Sequence, residues 1–140
     1  MLSILLPVYN CNCVALVTEL QRQCVECGTE FEIIVADDGS SVASYVEHNL
    51  RIERLDGVRY ITRKQNVGRS AIRNFLISQA QGEWLLFIDG DLTLDNSHFI
   101  RRYLQAKSNV VVGGIRIGGD PNRWKNNLRY RYEKEYEQKN

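Results

Sequence analysis

Apolar residues along this chain fall into runs of strand length, separated by stretches with helical spacing. Residues 2–8, 31–36, 58–62, 83–88 and 110–117 read as strands, and residues 14–24, 42–50, 68–79, 97–107 and 122–138 as helices. The helical period is clearest at Ile72, Phe75, Leu76 and Ala80, whose spacing gives one apolar stripe for packing on a sheet. Several strand runs are apolar on successive residues, as in Val110-Val111-Val112, which argues for burial on both faces. Strands alternating with helices predict an α/β fold, a mostly parallel sheet flanked by helices.

Composition narrows the picture slightly. The 140 residues are 44% hydrophobic and 25% charged, ordinary globular values, and the length suits one core. A net charge of +1 gives no electrostatic footprint for nucleic acid. No apolar stretch reaches membrane-span length and no basic-then-apolar leader opens the chain, so a cytoplasmic protein is expected. Four cysteines, Cys11, Cys13, Cys24 and Cys27, share one short window. Zinc pairs sit on knuckle turns, whereas one pair here falls in a loop and the other near a helix end. Reduced thiols are the expected state.

The chemistry concentrates where strands end. Asp89-Gly90-Asp91 closes the run Trp84-Leu85-Leu86-Phe87-Ile88, and two carboxylates one residue apart repel unless something neutralises them. A hard divalent cation sharing its shell with substrate phosphates removes that conflict. Asp37-Asp38-Gly39-Ser40-Ser41 ends another apolar run; Ser40 or Ser41 capping the next helix accounts for one acidic residue but not two. Pro7-Val8-Tyr9-Asn10 ends the first strand, where proline is expected to stop the ladder and Tyr9 to offer a ring to a planar partner. In Asn66-Val67-Gly68-Arg69-Ser70-Ala71-Ile72-Arg73-Asn74, Gly68 opens a helix, and Arg73 either reaches a phosphate, fixes a carboxylate or is plain surface. His48 and His98 lack partner spacing. Asp89-Gly90-Asp91-Leu92-Thr93 also matches the first motif of haloacid-dehalogenase-type phosphatases, but the acidic pair of this chain lies upstream of it, the wrong order for that mechanism.

Together the four segments resemble family 2 glycosyltransferases in order and approximate spacing, over roughly residues 1–115. The resemblance implies the GT-A (Rossmann-like) fold, a nucleotide-diphosphate-sugar donor, usually UDP-linked, Mn²⁺ or Mg²⁺, and transfer with inversion to a hydroxyl of a saccharide or lipid-linked acceptor. It implies that Pro7 and Tyr9 line the base and ribose, that Asp38 contacts the base, and that Asn10, Arg73 and Gly90 belong to the donor site. It further implies that Asp89 lies on the ribose side, that Asp91 is the metal ligand with Asp89 beside it, that Thr93 adds an oxygen, and that Arg116 points at the pyrophosphate. Residues 1–118 are then the donor-binding domain and 119–140 a helix leading to an acceptor half, with the catalytic base beyond residue 140. A non-catalytic nucleotide-sugar-binding module is the alternative. Glu133, Glu135 and Glu137 read as solvated surface and not as the base. Trp124, Leu128, Tyr132 and Tyr136 form a stripe that wants cover, which predicts a homodimer through that helix or a peripheral membrane contact.

Overall fold

Consecutive apolar residues in the first two strands bury both faces of one sheet. β1 (Leu2–Val8) and β2 (Phe31–Asp37) pair in parallel, with Leu2 opposite Phe31 and Val8 opposite Asp37. On one face Ile4, Leu6, Val8, Ile33 and Val35 meet Leu16, Val17 and Leu20 of α1 (Val14–Cys27). On the other, Leu5, Ile34 and Ala36 meet Ile72 and Leu76 of α3 (Arg69–Gln79). Each such side chain removed from water contributes roughly 1.5–3 kcal/mol. The two-faced burial is the reason these strands are not alternating apolar and polar.

The computed structural model describes residues 1–106. The expected strand at 110–117, the helix at 122–138, Arg116 and the boundary at 118 lie outside the described residues. Within them, β3 (Val58–Thr62) flanks β2, and β4 (Trp84–Phe87) pairs with the first half of β1. The order is β3-β2-β1-β4, parallel throughout. The chain steps outward from β1 to β3, then returns to the far side of β1. Opposite stepping directions with one crossover hand put the helices on opposite faces. Accordingly α1 and α2 (Ala43–Asn49, through Val46) join one core cluster and α3 joins the other. The order reverses between β1 and β4, and such a reversal leaves a crevice beyond the carboxyl ends of the strands. All these elements, with α4 (Phe99–Gln105), belong to the compact unit Met1–Gln105. Among the described residues no helix is long and apolar enough to cross a membrane.

Several boundaries differ from the sequence expectation. α1 runs on to Cys27 and ends at Gly28, whose φ of 62° permits the left-handed cap. α2 is shorter and gives way to a 3₁₀ turn, Leu50–Arg54, that delivers Ile52 into the core. Pro7 does not stop the ladder, which continues to Val8 opposite Asp37. Its carbonyl instead accepts the Gly90 N–H at 3.3 Å, on the side that β4 has already left. Ser40 and Ser41 do not cap α2, whose N-cap is Val42 without a side-chain bond. At the opposite end of the sheet Glu32 Oε1 accepts both the Ser3 hydroxyl and the Gln81 N–H at 2.6 Å, tying the α3–β4 connection to β1 and β2.

Candidate functional site

The turn after β1 carries Tyr9, Asn10 and Cys11 over the crevice. Asn10 adopts φ 48°, a left-handed conformation that asparagine tolerates better than most residues. It is held there from the neighbouring loop: its N–H donates to Ser40 Oγ at 2.8 Å, its Nδ2 to Ser41 Oγ at 3.0 Å, and its Oδ1 accepts the Val42 N–H. Thus the serines expected to cap a helix fix the β1 turn. Tyr9 is 47% exposed, its ring free for a planar partner.

The two aspartates after β2 separate in role. Asp37 is buried and accepts the Ser40 N–H and Oγ–H, both at 2.7 Å, and the Tyr60 hydroxyl at 2.9 Å. Asp38, also buried, lines the cleft and accepts the Val67 and Gly68 N–H groups at 2.9 Å, one on each oxygen. It therefore braces the loop that opens α3. Gly39 lets that loop approach, since a Cβ on it would stand 2.6 Å from the Gln65 carbonyl carbon.

β4 delivers the acidic pair to the same crevice. A Cβ on Gly90 would lie 2.6 Å from Val8 Cγ2, so only glycine lets the turn pack on the end of β1. Asp89 Oδ1 meets an Arg73 guanidinium nitrogen at 2.5 Å. Asp91 is exposed, and among the described residues no hydrogen bond or ion pair engages its carboxylate. With Gly68, Arg69, Ile72 and Arg73 at the start of α3, these loops enclose a cleft of about 490 Å³. Burial raises the Cys11 thiol, with Asp91 and Asp37 adding to it, and burial pushes Cys13 up to about 12, so neither is a thiolate at neutral pH.

Pro7, Tyr9, Asn10, Asp38, Arg73, Asp89, Gly90 and Asp91 all line this one cleft. Thr93 is exposed and is not among the lining residues; Arg116 lies outside the described residues. Asn66 and Arg69, quoted in a motif but given no role from sequence, line it too, as does Cys11. The donor set suits a hard cation. One uncommitted carboxylate faces the cleft with a second two residues away, and among the described residues no cluster of three or more His, Cys, Asp or Glu converges. Carboxylates so placed would give a hard cation a few oxygen ligands and leave the rest to phosphates and water, as Mg²⁺ and similar ions are usually bound.

The family model described as "Glycosyl transferase family 2" matches residues 3–140. An uncharacterized glycosyltransferase of Haemophilus influenzae is 32% identical over 95 residues, covering 65% of this chain and 36% of that protein. The poly(ribitol-phosphate) beta-glucosyltransferase of Bacillus spizizenii is 31% identical over 126 residues, covering 82% of this chain and 19% of that protein. The chain thus spans about a third or less of these relatives' lengths. Among solved structures, S. aureus TarS 1–349 in complex with UDP-GlcNAc superposes with TM-score 0.62 at 24% identity, covering 74% of this chain and 30% of that one. The mannosyltransferase PcManGT of Pyrobaculum calidifontis, in complex with GDP-Man and Mn²⁺, gives 0.57 at 17% identity, covering 89% and 37%. At these identities the structures establish a shared fold, the GT-A arrangement of a parallel sheet between helices.

Proposed function

The chain belongs to glycosyl transferase family 2, and from that premise we propose that its cleft binds a nucleotide-diphosphate sugar, with UDP as the favoured nucleotide. The observation that carries this reading is the convergence of Tyr9, Asp38, Arg73, Asp89 and Asp91 on one crevice at the reversal of strand order. The sugar passes, with inversion, to a hydroxyl of a saccharide or lipid-linked acceptor in the whole protein. The B. spizizenii relative, named for transfer to a ribitol-phosphate polymer, supports polysaccharide assembly as the setting. Family membership also sets aside the phosphatase reading of Asp89-Gly90-Asp91.

In this proposal Tyr9 and Pro7 pack against the base and ribose. Asp38 accepts from an N–H on the base edge with lone pairs that Val67 and Gly68 leave free. Asp91, with Asp89 beside it, holds Mn²⁺ or Mg²⁺, whose chemistry is to neutralise charge on the departing nucleotide diphosphate. Arg73 keeps Asp89 oriented and adds positive charge at the same edge. PcManGT, solved with a nucleotide sugar and Mn²⁺, supports the metal. TarS with UDP-GlcNAc supports the UDP preference.

Calorimetric titration with UDP, GDP, CDP and ADP in the presence of Mn²⁺ tests the reading. Binding of UDP ahead of the others is expected. A chain that binds none of the four contradicts it.

A further inference from the structure

Asn49 belongs to none of the motifs, yet it is 0% exposed at the end of α2, and its amide reaches the β1 turn as well as the Tyr60 hydroxyl. Its Nδ2 donates to the Cys11 carbonyl at 2.9 Å, and its Oδ1 accepts the Cys13 N–H at 3.0 Å. One side chain thus imitates a neighbouring strand and clamps the backbone on both sides of Asn12. Cys13 is also the N-cap of α1, so the clamp joins turn and helix.

A second set of bonds reaches the same turn from the other side. The Tyr60 hydroxyl donates to Asp37, Asp37 accepts the Ser40 hydroxyl, and Ser40 Oγ accepts the Asn10 N–H. Each hydroxyl donates in one direction only, so the network has a single proton arrangement. It is anchored on Asp37 of β2 and Tyr60 of β3, and it converges on Asn10, holding that residue in its left-handed conformation. Asn49 and Tyr60 are not among the residues lining the cleft, whereas Tyr9, Asn10 and Cys11 are.

We propose that Asn49 is a positioning residue for the cleft, fixing the Tyr9–Cys11 wall against which a nucleoside diphosphate packs, and so setting nucleotide affinity without touching the nucleotide. This rests on the reading that the cleft binds a nucleotide diphosphate. A loosened turn must be re-ordered on binding, and that cost appears directly in the dissociation constant.

The test is calorimetry of UDP with Mn²⁺ on the parent, Asn49→Ala and Asn49→Ser, at a temperature where all are folded. Ser3→Ala serves as a control destabilised at the far end of the sheet. The Asn49 variants should raise Kd about tenfold with stoichiometry unchanged, while Ser3→Ala lowers Tm and leaves Kd alone. A merely structural role would lower stoichiometry, not affinity. Should neither Asn49 variant fold, Tyr60→Phe removes the hydroxyl that meets both Asp37 and the Asn49 amide and should raise Kd about threefold. Folded variants with Kd within about twofold of the parent overturn the positioning role. A parent that does not bind UDP overturns the nucleotide reading beneath it, so the two failures are distinguishable.

Discussion

Arg73, one turn into α3, and Asp89, at the end of β4, meet at 2.5 Å across the mouth of the cleft. Their side chains are 33% and 53% exposed, and pairs this open contribute about 0–1 kcal/mol to stability. The pair matters instead for charge placement. It neutralises the Asp89 carboxylate and leaves Asp91, among the described residues, as the carboxylate of the pair open to a ligand.

Arg73→Ala should therefore leave unfolding nearly unchanged, within about 1 kcal/mol, while weakening nucleotide-diphosphate binding about tenfold or more. Urea denaturation and calorimetry on the same preparation separate the two quantities. A variant that loses stability and keeps its affinity would show that the contact is purely structural.

Asp38 is expected to behave differently, because it is a buried residue whose loop-bracing bonds are partly shielded from water. Asp38→Ala leaves the Val67 N–H without its acceptor and the Gly68 N–H with Asn66 Oδ1 alone, at a cost of roughly 1–3 kcal/mol. Asp38→Asn retains one acceptor oxygen and should cost about half as much. Denaturant midpoints for the three proteins give the order parent, Asn, Ala.

Gly90→Ala pushes a methyl group against Val8 Cγ2 and the Pro7 carbonyl, so the turn must move away from β1. A loss of about 1–3 kcal/mol is expected, together with weaker Mn²⁺-dependent binding because Asp91 moves with the turn. Gly28→Ala is the control: it meets no neighbour but keeps a positive φ, and it should lose stability only, by about 1 kcal/mol.

A pH effect is expected from the far end of the sheet. Burial opposes ionisation of Glu32, but the Ser3 hydroxyl, the Gln81 N–H and Arg59 hold its carboxyl below the ordinary 4.5. A depressed folded value means that its contribution is complete above 4.5 and is lost as pH falls through the lower folded value. Unfolding midpoints measured at about pH 7 and about pH 3 should therefore differ less for Glu32→Gln than for the parent.

Among the described residues, strand positions and the convergence of the motif residues on one cleft were legible because each leaves a local mark. β3 falls at 58–62 as its apolar run requires, and the pocket-lining aspartates stand directly after apolar strands. What was not legible depends on partners remote in sequence. Asn49 bonds backbone groups 36 and 38 residues away, and Gln23 bonds the Asn96 carbonyl and the Ile100 N–H 73 and 77 residues away. A buried amide that serves distant backbone carries no pattern in the chain. The division of labour between Asp37 and Asp38 was hidden likewise, since Tyr60 bonds one of two adjacent carboxylates and the Val67-Gly68 turn the other.

In the proposed function, Asp91 couples a divalent cation to nucleotide binding in this cleft. Its most direct test is the affinity for UDP with and without Mn²⁺, in the parent and in Asp91→Ala. Parent affinity should rise at least about tenfold with Mn²⁺, and Asp91→Ala should bind UDP with one weak affinity whether Mn²⁺ is present or not. Equal Mn²⁺ enhancement in both proteins, or none in the parent, would rule out a metal-coupling role for Asp91.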